Sequence, residues 1–195
     1  MKLVYKGKYN GDENSLPHGE HMPNAVQFKE ADSMEAFAKK INGIALVLSI
    51  LCFALVGVRI AAADVEFSLI KLIVGYLLAM LTLLPHELLH GLCFKEEVEL
   101  YTNLKQGMLF VTGGEHFSKT RFIIMSLLPN IVFGLLPLVL FLFYPQLDLL
   151  GMLGAYTIGM GAGDYYNVYN ALTQVPKNGL IYNVGFHSYW YVPEK

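Results

Sequence analysis

With 54% of its 195 residues hydrophobic and only 15% charged, the chain holds well under the roughly 25% charge typical of a soluble domain. The deficit is gathered into a few long stretches, which implies a bilayer rather than one large aqueous core. A net charge of -2 provides no basic footprint for nucleic acid, and two cysteines, Cys52 and Cys93, both in apolar runs, exclude a disulfide framework and fit no CxxC metal site.

Residues 1–40 read as a polar cytosolic segment. Within it, 2–9 alternates weakly like a strand and 10–23 is rich in turn formers. Residues 33–40 resemble the start of an amphipathic helix with Ser33 as its N-cap. His18 and His21 form an HxxH in the turn-rich part, a pattern that is more often solvated than metal-binding.

Four stretches are long and apolar enough to span: 41–63, 67–94, 122–144 and 147–172. Their charges are few: Arg59 near the end of the first, Lys71 near the start of the second, none in the third, and Asp164 in the interior of the fourth. The intervening loop, 95–118, alternates in places (Val98, Leu100, then Leu109-Phe110-Val111), as a β-hairpin would. The expected fold is therefore an all-α membrane protein of four transmembrane helices. A small β-hairpin is inserted between the second and third helices, a short N-terminal segment precedes the membrane domain of 41–174, and a tail of 175–195 follows it. Lys39, Lys40, Lys95, Lys105, Lys119, Arg121 and Lys177 fall on the side shared by the N-terminus, the long loop and the tail. The positive-inside rule makes that side cytosolic, with both termini there, in a multi-pass protein of the cell membrane.

The second stretch contains Pro85-His86-Glu87-Leu88-Leu89-His90, an HExxH. Residues four apart share a helix face, so both imidazoles can address one metal ion, expected to be zinc. Glu87 lies one step round the helix, placed to take a proton from water without being a ligand. Two histidines and a glutamate are costly inside an apolar helix and usually functional there; a pair of core histidines near the interface is the bland alternative. Asp164 is the candidate third ligand. Counted along each span from its outer end, His86 lies about 28 Å deep and Asp164 about 26 Å. Asn167 and Asn170 follow at helical spacing, either orienting ligands or capping the helix exit. Pro129-Asn130 in the third stretch either loosens the helix to offer an amide or marks a packing kink. Gly151, Gly154, Gly159, Gly161 and Gly163 suit close helix approach. The hairpin edge either pairs with an extended substrate or is a structural lid.

A membrane helix bearing HELLH, a β-like insertion, a proline-bearing span and a glycine-rich span with Gly163-Asp164, Asn167 and Pro176 resembles the putative zincin peptidases. These bacterial membrane proteins are similar in layout to the site-2 intramembrane metalloproteases, and the resemblance covers 41–176. It implies zinc held by His86, His90 and Asp164 with Glu87 as general base. Gly163-Asp164-Tyr165 departs from the leucine-aspartate-glycine of site-2 proteases, and no PDZ-like domain is present. The expected activity is zinc-dependent hydrolysis of a membrane-embedded or membrane-adjacent peptide bond, with a peptide or membrane protein as substrate. The rival is a catalytically silent metal-binding scaffold or accessory protein.

Overall fold

A computed structural model describes residues 2–12, 15–17, 21–31, 34–103 and 108–194. Ser33 and His18, expected as a helix cap and half of the HxxH, lie outside the described residues. The chain divides into two interleaved compact units.

The first unit gathers Met1–Glu30, Glu87–Ser126 and Asn167–Lys195 and is built on two sheets. In one, β1 (Lys2–Lys8) lies parallel to β3 (Glu97–Asn103), which pairs antiparallel with β4 (Met108–Thr112). The expected hairpin is present, and β1 extends it across its other edge. In the second sheet, β6 (Leu180–Val184) and β7 (His187–Tyr191) form an antiparallel hairpin, with β2 (Val26–Gln27) beside β7 and β5 (Phe117–Ser118) beside β6. The turn between β6 and β7 has two residues, Gly185 and Phe186. Gly185 adopts φ 60°, which a two-residue hairpin needs at its first position and glycine supplies without strain. Phe28, Phe94, Val98, Phe117, Phe122, Val175 and Ile181 form this unit's core. Two histidines of this unit have side-chain partners: His116 Nδ1 lies 2.9 Å from the Tyr191 hydroxyl, and His187 Nδ1 lies 3.3 Å from Glu30 Oε2. His21 Nδ1 is 3.3 Å from the Tyr182 hydroxyl.

The second unit, Ala31–His86 with Leu127–Tyr166, is helical. Helix α1 (Met34–Ala62) runs unbroken, so the amphipathic start and the first apolar stretch are one element. The second stretch is α2 (Leu69–Leu81) and α3 (Leu83–Leu92), interrupted at Thr82. Pro85 explains the interruption: it has no N–H for the carbonyl four residues back, at Leu81, and sits comfortably only in a first turn, which α3 provides. The third stretch is α4 (Lys119–Asn130), a π-helical turn over Ile131–Leu135, and α5 (Leu136–Phe143). A π-turn directly after Pro129 is where a broken ladder widens, and Thr157 Oγ1 donates to the Phe133 carbonyl within it at 2.6 Å.

The expectation of an all-α chain with four spanning helices is overturned on both counts. The protein is mixed α/β, 59% helical and 18% strand. Among the described residues, three helices are long and apolar enough to cross a membrane, Glu35–Ala62, Leu69–Leu92 and Lys119–Phe143. The fourth stretch is two shorter helices, α6 (Asp148–Met160) and α7 (Ala162–Gln174), divided at Gly161. A side chain at Gly161 would overlap the Asn130 amide, so the chain bends where it passes that residue instead of continuing one rod. Cys52 and Cys93 are free thiols.

Candidate metal centre

Helix α3 carries the motif from its fourth to its eighth residue. The offset of four between His86 and His90 stacks the imidazoles on one face, and Glu87 follows directly. Nitrogen or oxygen atoms of His86, Glu87 and His90 all lie within 4.8 Å of one another. Two donors on one zinc ion stand at most about 4.2 Å apart, so that envelope alone does not make all three ligands.

Hydrogen bonds separate their roles. In the helical unit, His86 Nε2 is 3.1 Å from Asp164 Oδ2, and the same carboxylate oxygen accepts from Asn130 Nδ2 at 2.7 Å. In the β unit, Glu87 Oε2 accepts from the Val111 main-chain N–H of β4 at 3.0 Å, and His90 Nδ1 lies 2.9 Å from the Met125 carbonyl oxygen. A carbonyl only accepts, so His90 carries its proton on Nδ1 and its lone pair on Nε2. His90 is buried, 8% exposed, while His86 and Asp164 side chains are 18% and 16% exposed, enclosed but reachable.

Within the helical unit, His86 and Asp164 fit a pair of zinc donors, and within the β unit the hydrogen bond of His90 fits a zinc-binding imidazole. Bonds of about 2.1 Å at the tetrahedral angle set neighbouring donors about 3.4 Å apart, close to the spacing between His86 Nε2 and Asp164 Oδ2. A histidine whose second nitrogen donates to a carbonyl, as His90 does, is the usual arrangement of a metal-binding imidazole. Glu87 is tied to a strand amide through Oε2.

Of the asparagines singled out in the sequence, Asn130 contacts Asp164. Asn170 Oδ1 accepts from Gln174 Nε2 at 3.1 Å, and Gln174 Oε1 accepts from the Lys29 N–H at 2.7 Å; this chain ties α7 to the N-terminal segment. Asn167 is half-buried on α7. Sequence reasoning missed Val111 and Met125, because both act through the main chain and leave no residue signature. It also missed a clamp at the exit of α3. Arg121 Nη1 donates to Glu115 Oε1 at 2.5 Å, and Arg121 Nη2 donates to the Cys93 carbonyl. Glu115 Oε2 accepts from the Lys95 and Glu96 N–H groups at 2.6 and 3.1 Å. Burial opposes the charge on Glu115, but the bonds from Arg121, Glu96 and Lys95 outweigh it and hold its pKa below the ordinary value. One carboxylate thus satisfies strand-entry amides while its arginine caps a helix-end carbonyl.

A family model described as putative zincin peptidase matches residues 78–180, more than half of the chain, from the last turn of α2 to the start of β6. No curated protein and no solved structure matches the chain.

Proposed function

The chain belongs to the putative zincin peptidase family, and from that premise we propose that it is a zinc metallopeptidase acting on a peptide bond in or beside the membrane. The observation that carries the reading is the 3.1 Å approach of Asp164 Oδ2 to His86 Nε2, on the helix turn that also bears Glu87 and His90.

In this reading His86, His90 and Asp164 hold the ion. Zinc, when bound, supplies Lewis acidity toward a carbonyl and a water molecule. Glu87 takes a proton from the attacking water at a carboxylate oxygen and delivers it to the leaving amide nitrogen, so that the water adds across the C–N bond and the proton count closes. The Val111 N–H orients the Glu87 carboxylate for that transfer, and Asn130 fixes the rotamer of Asp164.

The membrane setting is supported by the three long apolar helices. In the two that precede the β3–β4 hairpin, only 11% of the apolar window is buried by protein, so these faces need lipid or another apolar cover. Strands from before α1, between α3 and α4, and after α7 join in the sheets of one unit. That supports one membrane face for both termini and the hairpin, and the basic residues there make it the cytosolic face. Near the opposite ends, Arg59 Nε donates to the Leu142 carbonyl at 2.9 Å and Lys71 Nζ pairs with both oxygens of Asp148 at 2.8 and 2.9 Å, so those cations are engaged by protein.

The test is elemental analysis of detergent-purified protein beside cleavage of fluorescein-labelled casein and a model transmembrane peptide. Wild type should carry one zinc per chain. Asp164→Ala and His86→Ala should lose it, and Glu87→Ala should keep zinc but lose cleavage. A wild-type protein without stoichiometric zinc ends this reading, and undiminished cleavage by Glu87→Ala removes the glutamate from the chemistry.

A further inference from the structure

Inside a helix a main-chain carbonyl accepts from the N–H four residues further on. Met125 lies within α4, yet its carbonyl oxygen is the partner of His90 Nδ1 at 2.9 Å. The residue four positions beyond Met125 is Pro129, inside the same helix, and proline has no N–H to give. We propose that Pro129 is a positioning residue for His90. By withholding the helical donor from Met125, it creates the acceptor that fixes the His90 proton on Nδ1 and leaves the lone pair on Nε2 for the metal.

Three facts converge on this. The acceptor used by His90 is the one carbonyl that a proline at 129 removes from the ladder. His90 is buried, so a ring nitrogen there needs a protein partner, and a carbonyl already satisfied within a helix is a poorer one. The ladder is also locally remade after the proline, as the π-turn at Ile131–Leu135 shows, so the surrounding helix accommodates the missing bond. Pro129 thereby sets the tautomer of a side chain on another helix. A proline serving only to bend α4 would have no reason to lie four residues after the histidine's partner. The proposal rests on His90 being a metal ligand, but its first measurement needs no metal.

The experiment uses the full-length chain in detergent micelles, stripped of zinc and labelled with ring-15N histidine, with the His90 signals assigned by their loss in His90→Asn. In wild type, His90 should show the Nδ1–H tautomer. Pro129→Ala restores an N–H and favours helix, so the protein should stay folded, which size-exclusion elution checks. The new N–H competes for the Met125 carbonyl, and the His90 population should move toward Nε2–H. Zinc affinity, read by competition with a chromogenic chelator, should fall about tenfold or more, the usual cost of losing such a partner. Leu128→Pro combined with Pro129→Ala keeps a proline in the same turn but releases the carbonyl of Ile124 instead; it should behave like Pro129→Ala.

An unchanged tautomer in Pro129→Ala overturns the proposal, and if zinc weakens regardless, the proline acts through helix shape alone. A shifted tautomer with wild-type zinc affinity overturns the positioning role. Wild-type behaviour of the relocated proline overturns the dependence on the Met125 carbonyl. A wild type that binds no zinc but keeps a Pro129-dependent tautomer defeats the peptidase reading while upholding the coupling of Pro129 to His90.

Discussion

Asp164 Oδ2 answers to two neighbours at once, His86 at 3.1 Å and Asn130 at 2.7 Å. A carboxylate shared in this way has little rotational freedom, which suits the ligand role proposed for Asp164. Asn130 closes α4, directly after Pro129 and directly before the π-turn, with α-helical backbone of its own. Replacing Asn130 with alanine should weaken zinc binding by about 10–100-fold while leaving Glu87 and its strand contact intact. Chelator competition reads the affinity, and cleavage at saturating zinc should recover most of its rate. Failure of excess zinc to restore cleavage would move Asn130 from holding a ligand to touching substrate.

At the scale of elements, the glycines of the fourth apolar stretch separate into those that permit an approach and those that do not. A Cβ at Gly154 would lie 2.8 Å from the Gly134 carbonyl oxygen and the Leu138 nitrogen, both main chain, and one at Gly151 would lie 2.7 Å from the Phe141 ring. Backbone cannot rotate aside, so Gly154→Ala should destabilise by about 1–3 kcal/mol or more, seen as a lower melting temperature in detergent. A Cβ at Gly163 meets nothing within 4 Å, and Gly163→Ala should melt like wild type although it adjoins Asp164. Gly161→Ala should be costly alone and less so beside Asn130→Ala, because the amide it would overlap is then gone; a double-mutant cycle measures the coupling. The sequence showed these glycines as a stripe, and only the packing distinguishes them. The same limit explains what else was legible. The HExxH turn and the β3–β4 hairpin are local patterns of period 3.6 or 2, and each is present, whereas the carboxylate expected inside a fourth span stands in the first turn of α7. The second sheet has its central hairpin, β6–β7, in the stretch expected as a tail, and its edge strands, Val26–Gln27 and Phe117–Ser118, are too short for any alternation to register. The parallel pairing of β1 with β3 joins residues some ninety positions apart, which no window contains. The division at Gly161 arises from a neighbour on another helix, and hydropathy carried the fourth stretch straight through it.

Across the whole molecule, strands from three distant segments meet in one unit, which makes sidedness testable. With Cys52 and Cys93 changed to alanine, Lys8→Cys and Lys177→Cys should react with a membrane-impermeant maleimide only after intact cells are opened, and Glu66→Cys should react before. Opposite behaviour of the Lys8 and Lys177 positions would break the shared-face arrangement. The same unit carries two carboxylates, buried Glu115 and half-buried Glu30, of opposite sign in their response to pH. Glu115 has its pKa lowered from 4.5 because the bonds from Arg121, Glu96 and Lys95 overcome burial. Its contribution to stability is present above the unfolded value and lost as pH falls through the lower folded one. Glu30 has its pKa raised from 4.5, chiefly by burial, with bonds from His187 and Ser188 offsetting part of the shift. Its contribution is present below the unfolded value and lost as pH rises through the higher folded one. Glutamine resembles a protonated glutamate, so both substitutions should be nearly silent well below pH 4. At pH 7, Glu115→Gln should lower the melting temperature and Glu30→Gln should raise it. The single tryptophan, Trp190, packs against the core of this unit, so its fluorescence follows the unfolding of the sheets directly. Melting temperatures that shift in the same direction at pH 7 for both variants would show that burial and hydrogen bonding do not divide these two carboxylates as the structure assigns them.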